Sequence, residues 1–162
     1  IFRHFKFPKP SPEPPMRTTM DITAYKLAER YVGVEEVPGS KDNPAVLAML
    51  KLDADWPQHD ETPWCSAFTN WIAWHLRLPR SKSLMARSWL NVGEKVKLGK
   101  SRVGFDVVVL WRGDPDGPSG HVGFYAGHTG SRIDILGGNQ GNAVNIRSYP
   151  RHRLLGVRRL YG

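Results

Sequence analysis

The chain has one cysteine among its 162 residues. No disulfide can form within it, so its stability has to come from packing. No apolar run approaches the ~18 residues that cross a bilayer. The first twenty residues, IFRHFKFPKPSPEPPMRTTM, lack the continuous apolar stretch of a secretory signal. No internal repeat, zinc-finger spacing, RNA-binding aromatic motif or long basic helix is visible. Acidic side chains are outnumbered: 15 Asp and Glu stand against 23 Lys and Arg, giving a net charge of +8. Such a surface attracts acidic polymers such as bacterial wall material, nucleic acid, or anionic membranes. The missing nucleic-acid motifs weigh against the second. Arg151, Arg153, Arg158 and Arg159 crowd the C-terminal region with no acid between them, which by itself reads equally well as a solvated basic face.

Apolar residues make up 40% of the chain, enough at this length for one domain with a core of its own. Residues 1–18, with KPSPEPP at their centre, read as an extended Pro-rich lead or linker. Because the sequence begins at Ile1, the lead is expected to join something longer. The domain proper is expected over 19–162. Helical spacing of Ile22, Tyr25, Ala28 and Tyr31 predicts a helix over 21–31. Asn43 before Pro44 is a cap and first-turn pair for a helix over 44–51. A third helix is predicted over 64–76 and a fourth over 83–91. Beyond Gly104 the pattern changes to short β-rich runs: DVVVLW, HVGFYAG, SRIDILG, AVNIRSY and LLGVRRL. Helices followed by a meander of strands predict an α+β fold, N-terminal helices packed on an antiparallel sheet of about five strands. Asp114-Pro-Asp116-Gly117 has the look of a calcium loop but lacks its later ligands, so it reads as a turn and no metal is expected.

The lone thiol, Cys65, falls in the first turn of the third helix. There the unpaired N–H groups and the macrodipole favour thiolate, and a cysteine nucleophile is activated when a histidine stands beside it. The competing reading is a small buried hydrophobe. His75 is excluded as partner, since ten helical residues span about 15 Å. His59 lies in the preceding loop with nothing specific around it, and His4 and His152 sit in basic segments. His128 reads as a turn residue. His121, which opens a strand after Ser119-Gly120, remains. With GHTG as the hairpin turn, residues 126 and 132 face each other and His121 falls opposite Gly137. Asn139 then projects to the same face, where its amide oxygen can hold the second ring N–H. Gly137-Gly138 leave room around the ring, or merely link two strands.

PWCSAFTNW, ARSWL, GFDVVVLWRG, SGHVGFYAG and LGGNQ, in this order, together with AERYVGVEEVPGSKDNPAV, resemble the bacterial and phage branch of cell-wall hydrolases related to the NlpC-like and CHAP (cysteine, histidine-dependent amidohydrolase/peptidase) families. The resemblance covers roughly residues 20–160. It implies a papain-like core and a Cys65–His121–Asn139 triad that cleaves a peptide or amide bond of peptidoglycan through a thioester. Many CHAP members carry a glutamate where Gly137 stands, so Asn139 orients His121 alone or shares the task with Gln140. Gln58 is the implied oxyanion donor beside the Cys65 N–H, and Trp64, Trp89 and Trp111 are candidates for the cleft wall. The expected protein is a monomer that uses no cofactor and acts at the wall, in the periplasm or outside the cell, as a phage lysin or as a toxin with an immunity protein for partner. Two other readings use the same residues: a non-hydrolytic wall-binding module, and an acyltransferase or transglutaminase-like enzyme. A thiolate–imidazolium pair would give a bell-shaped dependence of kcat/KM on pH.

Overall fold

The computed structural model describes residues 22–37, 43–53 and 63–161. The Pro-rich lead, Gln58 and His59 lie outside the described residues. Three α-helices come first. The Thr23 hydroxyl accepts from Lys26 N–H and starts α1, Ala24–Glu29. Asn43 Oδ1 accepts from Ala45 N–H at 2.9 Å and starts α2, Pro44–Lys51, with Pro44 in the first turn, where its missing N–H costs nothing. The third, α3, Cys65–His75, has no side-chain cap: its N-cap residue is Trp64, whose indole is turned elsewhere. The expected fourth helix is a 3-10 helix, Ala86–Asn91.

Six strands follow rather than about five: β1 (Glu94–Val96), β2 (Asp106–Trp111), β3 (Gly120–His128), β4 (Arg132–Gly137), β5 (Asn145–Pro150) and β6 (Leu154–Arg159). They form one antiparallel sheet in the order β1-β6-β2-β3-β4-β5. The addition, β1, is a charged three-residue edge strand with no alternation to announce it. Each strand has two faces. Val107, Val109, Val122, Phe124 and Leu136 face the helices in the main core. Val108, Leu110, Tyr125, Ile133, Ile135 and Val157 build a smaller core on the other side.

The core runs through α3, buried along most of its length. Its polar residues are paired, as buried polar groups must be. Asn70 donates to Ser66 O and Ser83 O and accepts from Lys82 N–H, and Trp89 Nε1 donates to Ser66 Oγ. These bonds tie the start of α3 to the 81–83 segment and fix its position over the sheet.

Where β4 ends, Gly138 lies against α3. A Cβ there would come within 2.7 Å of both Phe68 Cβ and the Trp64 ring. Gly138→Ala is therefore expected to cost ~1–3 kcal/mol through overpacking, read as a lowered midpoint in denaturant.

Candidate active site

The hairpin between β3 and β4 departs from ideal pairing. Its register shifts between Tyr125 and Gly127, so Ala126 is a bulge, and Tyr125 faces Ile135 while Phe124 faces Leu136. The turn also lies beyond the expected GHTG, since His128 is still in the strand and faces Ile133, so His121 is not opposite Gly137. The ladder with β4 stops at Phe124–Leu136, and beyond its end the Val122 N–H is close enough to Cys65 to favour its thiolate. Cys65, at the start of α3, therefore lies against the backbone of the residue next to His121.

The amide that reaches His121 is that of Gln140, not Asn139. Asn139 has φ +56°, turning the chain out of the strand direction, and its extrapolation along β4 fails for that reason. The following Gly141 and Asn142 have φ +62° and +64°, as a type I′ turn requires, and Gln140 N–H donates to Ala143 O. This turn folds the Gln140 side chain back inside, where it is 1% exposed. Its amide nitrogen donates to Ile135 O and to Asn145 O, and its oxygen lies 2.8 Å from His121 Nε2. The two carbonyl acceptors fix which end of the amide is nitrogen. The end facing His121 is the oxygen, an acceptor, so His121 carries its proton on Nε2. Gly137 makes this meeting possible: a Cβ there would be 2.8 Å from Gln140 Oε1 and 3.5 Å from His121 Nε2.

His121 Nδ1 is consequently a bare lone pair. It is also, among the described residues, the buried side-chain polar atom with no hydrogen-bond partner. An unpartnered buried acceptor costs free energy, and an unprotonated Nδ1 is the ring's proton-accepting position.

The charge states differ from the thiolate–imidazolium expectation. Burial pushes the Cys65 thiol above its usual range; the N–H groups of Val122, Ser66 and Cys65 itself and the charge of Arg112 oppose this without overcoming it. Burial also lowers His121 to about 4. Desolvation outweighs the helix end here, and the resting pair is thiol and neutral imidazole. With a folded pKa of about 4 against an ordinary 6.5, the unfolded chain binds more protons between those values. Stability contributed by this group is present above pH 6.5 and is lost as pH falls through 4, by roughly 3 kcal/mol in all. A His121→Gln variant is expected to lose that part of the acid dependence, measured by chemical denaturation from pH 7 to 4.

Tyr149, missed in the sequence, is a further member of the cluster. Its ring lies 5.1 Å from the imidazole at 34°, and its hydroxyl is 3.3 Å from His121 Nε2. The contact joins β5 to the start of β3, 28 residues apart in the chain, and no local pattern announces it. Trp111 sits half-buried at the end of β2, paired with Gly120, with Nε1 donating to His152 O. Trp64 and Trp89 are fully buried and expose no surface to a substrate. Trp64 donates to Glu36 and packs under Gly138. His128 ends β3, its Nδ1 bonded to the Tyr125 hydroxyl, and has no part in the cluster. Residues 114–117 form a turn closed by Gly117 N–H on Asp114 O.

No protein-family profile and no curated protein matches the chain. Among solved structures it is similar to NlpC1 from Trichomonas vaginalis, at TM-score 0.53 and 17% identity over 86% of this chain. It is similar to NlpC2 from the same organism at TM-score 0.52, again 17% identical over 86% of this chain. It spans 43% and 46% of those two chains, under half their length. The fold is α+β and NlpC-like.

Proposed function

We propose that the chain is a cysteine-dependent hydrolase of a peptide or amide bond in bacterial peptidoglycan, delivered to the wall as a phage lysin or an antibacterial toxin. The observation that carries this reading is the buried, unpartnered Nδ1 of His121, whose Nε2 is tied to Gln140, beside a cysteine at the uncapped start of α3. The wall as substrate rests on the resemblance of the sequence motifs and on the +8 charge.

The thiol proton passes to His121 Nδ1 as sulfur bonds to the substrate carbonyl carbon. The oxyanion meets first-turn N–H groups of α3, which no side chain caps. Collapse breaks the C–N bond, and the proton on Nδ1 goes to the leaving amine. Water then attacks the thioester with Nδ1 as base, releasing the acid and returning the proton to sulfur. Gln140 holds the imidazole in the tautomer that each step needs and stabilises the transient imidazolium.

Mass spectrometry of purified sacculi after digestion tests the reaction and finds the bond. Hydrolysis gives one new amine and one new carboxyl terminus per cut. A transferred acyl group at the new terminus would instead establish an acyltransferase.

A further inference from the structure

Three strand ends meet beside His121, and arginines crowd them. Arg153, just before β6, donates from Nε to Trp111 O at 2.9 Å, and its guanidinium lies 5.9 Å from the Trp111 ring centre and 5.8 Å from that of Tyr149. One bond and two rings hold this side chain, while its two terminal nitrogens make no hydrogen bond among the described residues. Arg112 follows Trp111, its backbone N–H donating to Ser119 O two residues before His121. Its exposed side chain has no partner among the described residues. Cys65, His121 and Tyr149 all feel Arg112, and the latter two also feel Arg153, while no carboxylate acts on any of the three. Asp114, the nearest acid to Arg112 in sequence, is engaged in its own turn, where its Oδ1 accepts from Asp116 N–H.

Arg153 is held in place, and neither guanidinium has a counter-ion among the described residues, so their free N–H donors are open to an anion. We infer that Arg153 and Arg112 form a receptor for a carboxylate of the substrate, so that the chain acts on peptides bearing a free carboxylate near the bond to be cut. The guanidinium fork fits phosphate as well, but the neighbouring thiol and imidazole are suited to acyl chemistry, and the anion a peptide carries is a carboxylate. This inference rests on the hydrolase reading for the nature of the ligand and adds to it the charge that the ligand must have.

The test is binding by the Cys65→Ala protein, which cannot turn over. The probes are soluble muropeptides released from sacculi by a muramidase, and the same muropeptides with their carboxyls converted to carboxamides. The carboxylate form is expected to bind at least ~10-fold more tightly, as loss of a charge-assisted bidentate pair implies. Arg153→Gln or Arg112→Gln should shrink that ratio and Arg153→Lys restore part of it; loss of packing alone would leave the ratio unchanged. The exposed Arg112 supplies a variant that folds should Arg153→Gln fail to. Equal affinity for the two forms, no binding of either, or a preference that survives removal of both arginines overturns the receptor. Wild-type cleavage is read separately. Cleavage without charge preference removes the receptor and leaves the hydrolase, whereas preferential binding without Cys65-dependent cleavage does the reverse.

Discussion

Cys65→Ala is expected to clear sacculi at least ~10³-fold more slowly than the wild type, because nothing else at the site can form the acyl bond. The fold should survive. Cys65 is buried at 6% exposure, and losing one sulfur from such a site costs on the order of 1 kcal/mol. Binding of sacculi should be retained, since the basic surface is untouched. That separates a hydrolase from a wall-binding module: the module would show no lysis in either protein. Undiminished lysis by the alanine variant would remove the thioester mechanism. The comparison needs turbidity and pelleting assays on one preparation of sacculi, with circular dichroism as the check on folding.

The second large effect belongs to Gln140. Gln140→Leu keeps the side chain's approximate volume but removes the amide from Ile135 O, Asn145 O and His121 Nε2, leaving Nε2 only the longer contact to the Tyr149 hydroxyl. The stability loss should be ~1–3 kcal/mol for unsatisfied buried groups. The loss in kcat should be roughly 10²-fold or more, since the imidazole is no longer held in its Nε2–H tautomer. Asn139→Ala is the matched control. Asn139 stands in the bend at φ +56° and makes no bond to His121, so kcat should change less than about 2-fold; a modest stability change follows from alanine's dislike of that backbone region. If Asn139→Ala were the damaging variant and Gln140→Leu the mild one, the tautomer argument would be wrong.

The contrast between these neighbours shows where the sequence was legible. Helix α2 begins and ends where Asn43-Pro44 and its length predicted, because a cap is a local interaction. The β-rich runs after Gly104 all became strands. The hairpin failed at its turn: His128, read as a turn residue, is the last residue of β3 and faces Ile133, so the pairing is displaced from its start, and the bulge at Ala126 shifts it by only one residue. Gln140 was expected at most to share the task with Asn139; the signal that it turns inward was Gly141-Asn142, a two-residue turn with both φ positive, which the sequence reading did not use. Tyr149 and Arg153 carried no local signal, since the rings they meet come from other parts of the chain. The thiolate expectation failed for an energetic reason. A helix end stabilises an anion modestly, whereas deep burial opposes it more strongly, and sequence does not report how deep a first turn will sit.

Nitrogen NMR of the His121 side chain across pH tests the central claim most directly, because the proposed chemistry depends on which ring nitrogen is bare. The account predicts a neutral ring at pH 7 with the proton on Nε2, an unprotonated Nδ1, and protonation only near pH 4. A ring that is already cationic at pH 7, or one whose proton sits on Nδ1, would contradict it.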